Sequence, residues 1–153
     1  MKEKIFESFS EGETFDIASE IAKKIKNKKT PQILRLEGDL GVGKTLFAKG
    51  FAWGMGIKDD VVSPTFNIVK TYEGEKRLHH FDVYRISDIS ELDEIGFEEF
   101  IYDDAVVLIE WASLIEEALP EKALKVTVYK DMTKGFDYRK LVLEGMDDED
   151  FGN

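Results

Sequence analysis

"QILRLE", Gln32 to Glu37, runs into "GDLGVGKT", Gly38 to Thr45, and on into "TLFAKGFAWGMG". The apolar run reads as a short buried strand, the glycines as a turn, and the third piece as a helix that Gly54 and Gly56 stop. A strand feeding a helix through a glycine turn aims successive main-chain N–H groups, with the helix dipole behind them, at one point in space. Such a point attracts an anion. The spacing G-x-x-x-x-G-K-[ST] is that of a P-loop: Gly38, Gly41 and Gly43 allow close approach, Lys44 reaches the β and γ phosphates, and the Thr45 hydroxyl ligates Mg²⁺. Asp39, Leu40, Val42 and Leu46 complete the expected cradle, and the expected ligands are a nucleoside triphosphate and Mg²⁺.

Working outward, strand-like and helix-like segments alternate, which favours a layered α/β domain. "KIFES" reads as an edge strand. Ser10 with Glu13 forms a capping box, and Ala18, Ile21, Ala22 and Ile25 recur at helical spacing in a helix expected to end near Asn27. "FNIVKTYEGEKRLHHFDVYR" reads as a hairpin turning at Glu73-Gly74, with Phe66, Ile68 and Tyr72 partly in period. "SELDEIGFEEFIYD" reads as helical and acidic, and "ASLIEEAL" as a short helix ending at Pro120. "AVVLIEW" is the strongest buried-strand signal, and "LKVTVYKD" with "YRKLVLEG" makes a last hairpin around Lys134-Gly135. The expected fold is a single P-loop NTPase-type α/β domain over residues 1–145, its central sheet mostly parallel with antiparallel hairpin strands and flanked by helices. Residues 146–153, "MDDEDFGN", read as an acidic, frayed tail.

Composition narrows the function. The chain has 153 residues, 42% hydrophobic and 35% charged, no cysteine, and a net charge of -11. That balance belongs to a folded chain, and without thiols there is neither a disulfide nor a thiolate metal site. No apolar stretch approaches the roughly 20 residues of a membrane span, and the start lacks a secretory h-region, so the expected location is the cytoplasm, away from membranes. Gripping a DNA or RNA backbone takes clustered Lys and Arg, whereas this chain has only Arg35, Arg77, Arg85 and Arg139. "KKIKNKK", 23 to 29, fits better as the solvated end of a helix. DNA is not an expected partner, and any RNA is expected to be held by another subunit.

Two strands thus end at chemistry, one at Gly38 and one at Glu110. Mg²⁺ needs a second oxygen anchor from a neighbouring strand tip, and Glu110 after "AVVLI" fits, the alternative being a solvated Glu opening the next helix. Asp82 in "HHFDVYR" is a second candidate, acting on Mg²⁺ through water or orienting an attacking water, unless it merely pairs with Arg85. Taken alone, His80 reads as a core or edge histidine, Ser63-Pro64 as a turn, and Trp111 as core. "DEIG", Asp93 to Gly96, imitates the D-x-x-G of GTPases but follows no buried strand, and no N-K-x-D guanine signature follows the P-loop. Adenine is therefore the expected base.

Four blocks in fixed order, "GDLGVGKT", "SPTF" at Ser63 to Phe66, "HFDVYR" at His80 to Arg85 and "LIEW" at Leu108 to Trp111, closely resemble the TsaE family, also called YjeE or YdiB. The likeness spans roughly residues 8 to 125; the last hairpin and the tail carry little of it. The resemblance implies an ATPase that supports a threonylcarbamoyl transferase and its inactive paralogue in making threonylcarbamoyladenosine at position 37 of tRNA, with the tRNA reached only through that complex. It also implies that Lys44 and Thr45 hold phosphate and Mg²⁺, that Thr65 is a switch threonine sensing the γ-phosphate, that Asp82 and Glu110 are the essential acids, and that Trp111 sits beside the nucleotide. Two other readings share the P-loop: a small-molecule or nucleoside kinase, which would need a basic lid that no insertion here supplies, and a nucleotide-gated scaffold that hydrolyses nothing.

Overall fold

A computed structural model describes residues 3–39 and 41–146. Strand β1 (Glu3–Ser8) leads to helix α1 (Glu11–Lys26), β2 (Gln32–Glu37), α2 (Lys44–Gly54), β3 (Val69–Tyr72) and β4 (Leu78–Asp82). Two short helices, α3 (Ser90–Glu94) and α4 (Phe97–Ile101), precede β5 (Val106–Glu110), a 3₁₀ segment (Ala112–Ala118), β6 (Leu124–Lys130), a 3₁₀ turn (Met132–Lys134) and β7 (Arg139–Glu144).

The described strands form one sheet in the order β1-β7-β6-β2-β5-β4-β3. Its centre is parallel: β2 lies between β6 and β5, and β4 runs beside β5. Antiparallel pairs close both edges, β3 with β4 on one side and β6, β7 and β1 on the other. This is the mixed sheet expected from the sequence. Parallel strands need crossovers, and α1, α2 and the short helices supply cover on both faces.

Alternation along β5 divides the core in two. Val106 and Leu108 join α1, α2, Leu34 and Leu36 on one face, while Val107 and Ile109 join Phe81, Leu92, Phe97, Ile101 and Ile115 on the other. Helices α1 and α2 meet through glycine: a Cβ on Gly50 or Gly54 would collide with the carbonyl oxygens of Phe15 and Ser19. Gly54 therefore closes a helix–helix contact, and the chain turns only at Gly56, whose φ is 79°.

Helix α1 is capped as expected at its start, with Ser10 Oγ accepting from the Glu13 N–H at 3.1 Å, although the Glu13 carboxylate reaches back to Phe9 N–H at 2.8 Å and not to Ser10. It ends at Asn27. The structure refines the local reading at four places. Strand β3 begins at Val69, because Ile68 sits at φ 68° and Phe66 is 82% exposed, so neither joins the strand pattern. The acidic segment is two single-turn helices broken at Gly96 (φ 71°), and "ASLIEEAL" winds as 3₁₀ with a kink at Ile115. Met146 is buried in the core, and residues 147–153 of the expected tail lie outside the described residues. Among the described residues no helix is long and apolar enough to cross a membrane.

Candidate functional site

Pairing register sets the site. In the parallel centre Glu110 lies opposite Leu36 of β2 and opposite Asp82 of β4, so the C-terminal tips of three strands align where the glycine turn leaves β2. Ligands of open α/β sheets gather at such tips. By alternation His80, Asp82, Leu108 and Glu110 share the face covered by α2, whose first residue is Lys44.

The glycine turn has no side-chain cap at α2, and Gly43 holds φ 107°, a left-handed conformation that favours glycine. A Cβ on Gly41 would meet nothing within 4 Å among the described residues, so the turn is open on the ligand side. Its far side is braced: the Arg139 Nε–H donates to the Val42 carbonyl at 2.6 Å, tying β7 to the turn. Arg139 carried no motif, and sequence reasoning missed this role.

A cavity of about 500 Å³ opens beside the turn, and Gly41, Gly43, Lys44, Thr45, Thr65, Asp82, Glu110 and Trp111 all line it. Gly38, Asp39 and Val42 line an adjoining cavity of about 420 Å³, which Trp111 also borders. Leu46 lines a third, smaller one with Gly41 and Gly43. The structure thus brings the described candidate residues around one turn; Leu40 lies outside the described residues.

Lys44 is buried. Its ammonium donates to the Gly38 carbonyl at 2.6 Å and lies 3.4 Å from the Trp111 ring centroid, a cation–π contact. Burial pushes its pKa below the ordinary lysine range, opposed chiefly by the charges of Glu110 and Asp82. Trp111 adopts φ 63°, which is strained for a bulky side chain, and its ring also packs on Tyr84 at 4.7 Å. It stands at the cavity wall, half-buried and packed against the second core cluster.

Asp82 does not pair with Arg85. One of its oxygens accepts from Ser63 at 3.1 Å and Thr65 at 3.4 Å, the other from the Tyr84 N–H at 3.0 Å. Arg85 stacks instead over Phe66, 4.6 Å from the ring centroid. The Ser63–Thr65 loop is therefore held on Asp82 through two hydroxyls, which a bare turn would not require. Glu110 is only 3% exposed, so it is no solvated helix opener, and His80 Nε2 lies 2.6 Å from its carboxylate.

No cluster of three or more His, Cys, Asp or Glu able to cage a metal occurs among the described residues. Mg²⁺ keeps waters and phosphate oxygens and takes few protein ligands. Thr45 and Glu110 on one cavity are a donor set of that kind.

Comparison with known proteins places the chain in one family. The model of the family described as "Threonylcarbamoyl adenosine biosynthesis protein TsaE" matches residues 8–140, reaching further into the last hairpin than the four motif blocks do. The chain is 50% identical over 101 residues to the tRNA threonylcarbamoyladenosine biosynthesis protein TsaE of Bacillus subtilis, covering 65% of this chain and 63% of that protein. It thus spans less than two thirds of that relative. The protein of the same name from Treponema pallidum is 38% identical over 63% of this chain and 71% of its own length. The crystal structure of Bacillus subtilis YdiB superposes with a TM-score of 0.76 at 38% identity, covering 93% of this chain and 84% of that one.

Proposed function

The chain belongs to the TsaE family, and from that premise we propose that it is a Mg²⁺-dependent ATPase supporting threonylcarbamoyladenosine synthesis at position 37 of tRNA. The observation that carries this reading is one cavity lined by Lys44, Thr45, Thr65, Asp82 and Glu110, contributed by the turn, a loop and two strand tips. In the proposed complex the main-chain amides of the turn and the Lys44 ammonium bind the phosphates, Lys44 leaving the Gly38 carbonyl to do so. Thr45 and Glu110 hold Mg²⁺, which neutralises charge on the phosphates. Asp82 orients the attacking water, and Thr65 exchanges its bond to Asp82 for contact with the γ-phosphate. Trp111 flanks the nucleotide.

Hydrolysis is slow in the isolated chain under this proposal, because Arg85 is engaged with Phe66 and, among the described residues, no other arginine lines the cavity. An arginine supplied from outside is worth roughly 10³ to 10⁵ in rate. The expected partners are the threonylcarbamoyl transferase and its inactive paralogue, which carry the tRNA, and the expected location is the cytoplasm. The test is phosphate release from ATP by the purified chain, with the transferase complex and tRNA added and omitted in turn. Faster release with the complex is expected; equal rates would contradict the proposal. Transfer of labelled γ-phosphate to a metabolite without free phosphate would replace it with a kinase. Full tRNA modification by a Glu110→Ala variant that hydrolyses nothing would replace it with a nucleotide-gated scaffold.

A further inference from the structure

We propose that His80 is a positioning residue for Glu110: its Nε2–H, donated from β4, fixes the orientation of the carboxylate and so sets the site's affinity for a divalent cation. The inference rests on the reading of this cavity as a Mg²⁺–nucleotide site. His80 Nε2 and a Glu110 carboxylate oxygen are 2.6 Å apart, with the two side chains 1% and 4% exposed. An ionised carboxylate only accepts, so Nε2 carries a proton and donates a hydrogen bond to Glu110. Nδ1 has no hydrogen-bond partner among the described residues. The buried imidazole therefore spends its polar capacity on Glu110 alone.

The neighbouring histidine is the contrast. His79 Nδ1 meets the Thr71 hydroxyl at 2.7 Å, its Nε2 meets Asp103 at 2.8 Å, and its ring abuts the edge of Phe100. That is a histidine knitting three elements together. His80 leaves one nitrogen orphaned in the interior, a cost that packing alone does not explain. It does not line the cavity, whereas Glu110 does, so it acts through the carboxylate and touches no ligand itself. A ligand carboxylate gripped on one oxygen keeps its other oxygen for the ion, and losing such a support usually costs 10- to 100-fold in metal affinity.

The experiment measures Mn²⁺ binding by the loss of its free electron-spin resonance signal, in the presence of ADP, for the full chain and for His80→Leu and His80→Gln. His80→Leu is expected to weaken Mn²⁺ about 10- to 100-fold while changing ADP affinity in chelator by less than about twofold. His80→Gln, whose amide N–H reaches to a similar depth, is expected to recover most of the loss. A folded His80→Leu chain with unchanged Mn²⁺ affinity, or a Gln variant as weak as Leu, would overturn the inference. Should His80→Leu not fold, imidazole ¹⁵N spectra of the unaltered chain decide. Mg²⁺ added to the ADP complex is expected to shift the His80 signals, and signals indifferent to the metal would overturn it. An unaltered chain that binds neither ADP nor Mn²⁺ would instead sink the reading of the site, and this inference with it.

Discussion

Lys44 holds its ammonium between the Gly38 carbonyl and the Trp111 ring, and a bound phosphate must replace the first of these. A hydrogen bond to a charged group is worth about 1.5–3 kcal/mol. Lys44→Ala is therefore expected to weaken ATP by roughly ten- to a hundredfold, read by titration calorimetry. Asp82→Asn separates two roles of one side chain. The Asn carbonyl oxygen can still accept from Ser63 and Thr65, so the loop and ATP affinity are expected to survive, while hydrolysis slows by about 10² to 10⁴. Collapse of the fold in this variant would show that Asp82 is mainly structural. At this scale the glycine turn was legible because its spacing is itself the chemistry. Ser63 and Thr65 on Asp82, His80 on Glu110 and Trp111 on Lys44 were not, since each of these partners lies far away in the chain.

Among the elements, α1 and α2 are the pair whose contact tolerates least. Alanine at Gly54 gains up to about 1 kcal/mol in helix propensity. It also drives a Cβ into the Ser19 carbonyl, and such overpacking costs about 1–3 kcal/mol. The second effect wins, so Gly54→Ala is expected to lower the midpoint of denaturant unfolding. At the other end of β4, Asp103 is held below the ordinary aspartate range, first by its hydrogen bond to His79 and further by Arg77. A lowered native pKa stabilises the fold fully above the ordinary aspartate range, and that contribution is lost as the pH falls from there through the native value. Asp103→Asn is expected to flatten this acid limb in thermal melts taken across that range. Most elements were legible from period and caps. Two departures had tertiary causes: Ile68 takes a left-handed φ as the chain enters β3, and Trp111 takes one as it leaves β5.

For the molecule as a whole, the sheet order makes one cavity from distant segments. Ligand that binds only the folded chain stabilises it by about 2.7 kcal/mol at a hundredfold excess over Kd. Mg²⁺ with ATP is thus expected to raise the melting temperature, and Lys44→Ala to abolish most of the rise. The sequence by itself determined the glycine turn, the buried strands and the acidic balance, because spacing, periodicity and charge are local or summed quantities. Only the tertiary structure decided that Asp82 holds the Ser63–Thr65 loop and not Arg85, that Arg139 braces the turn, and that His80 serves Glu110. Those are choices among partners tens of residues apart, and strand register, which no local pattern encodes, makes them.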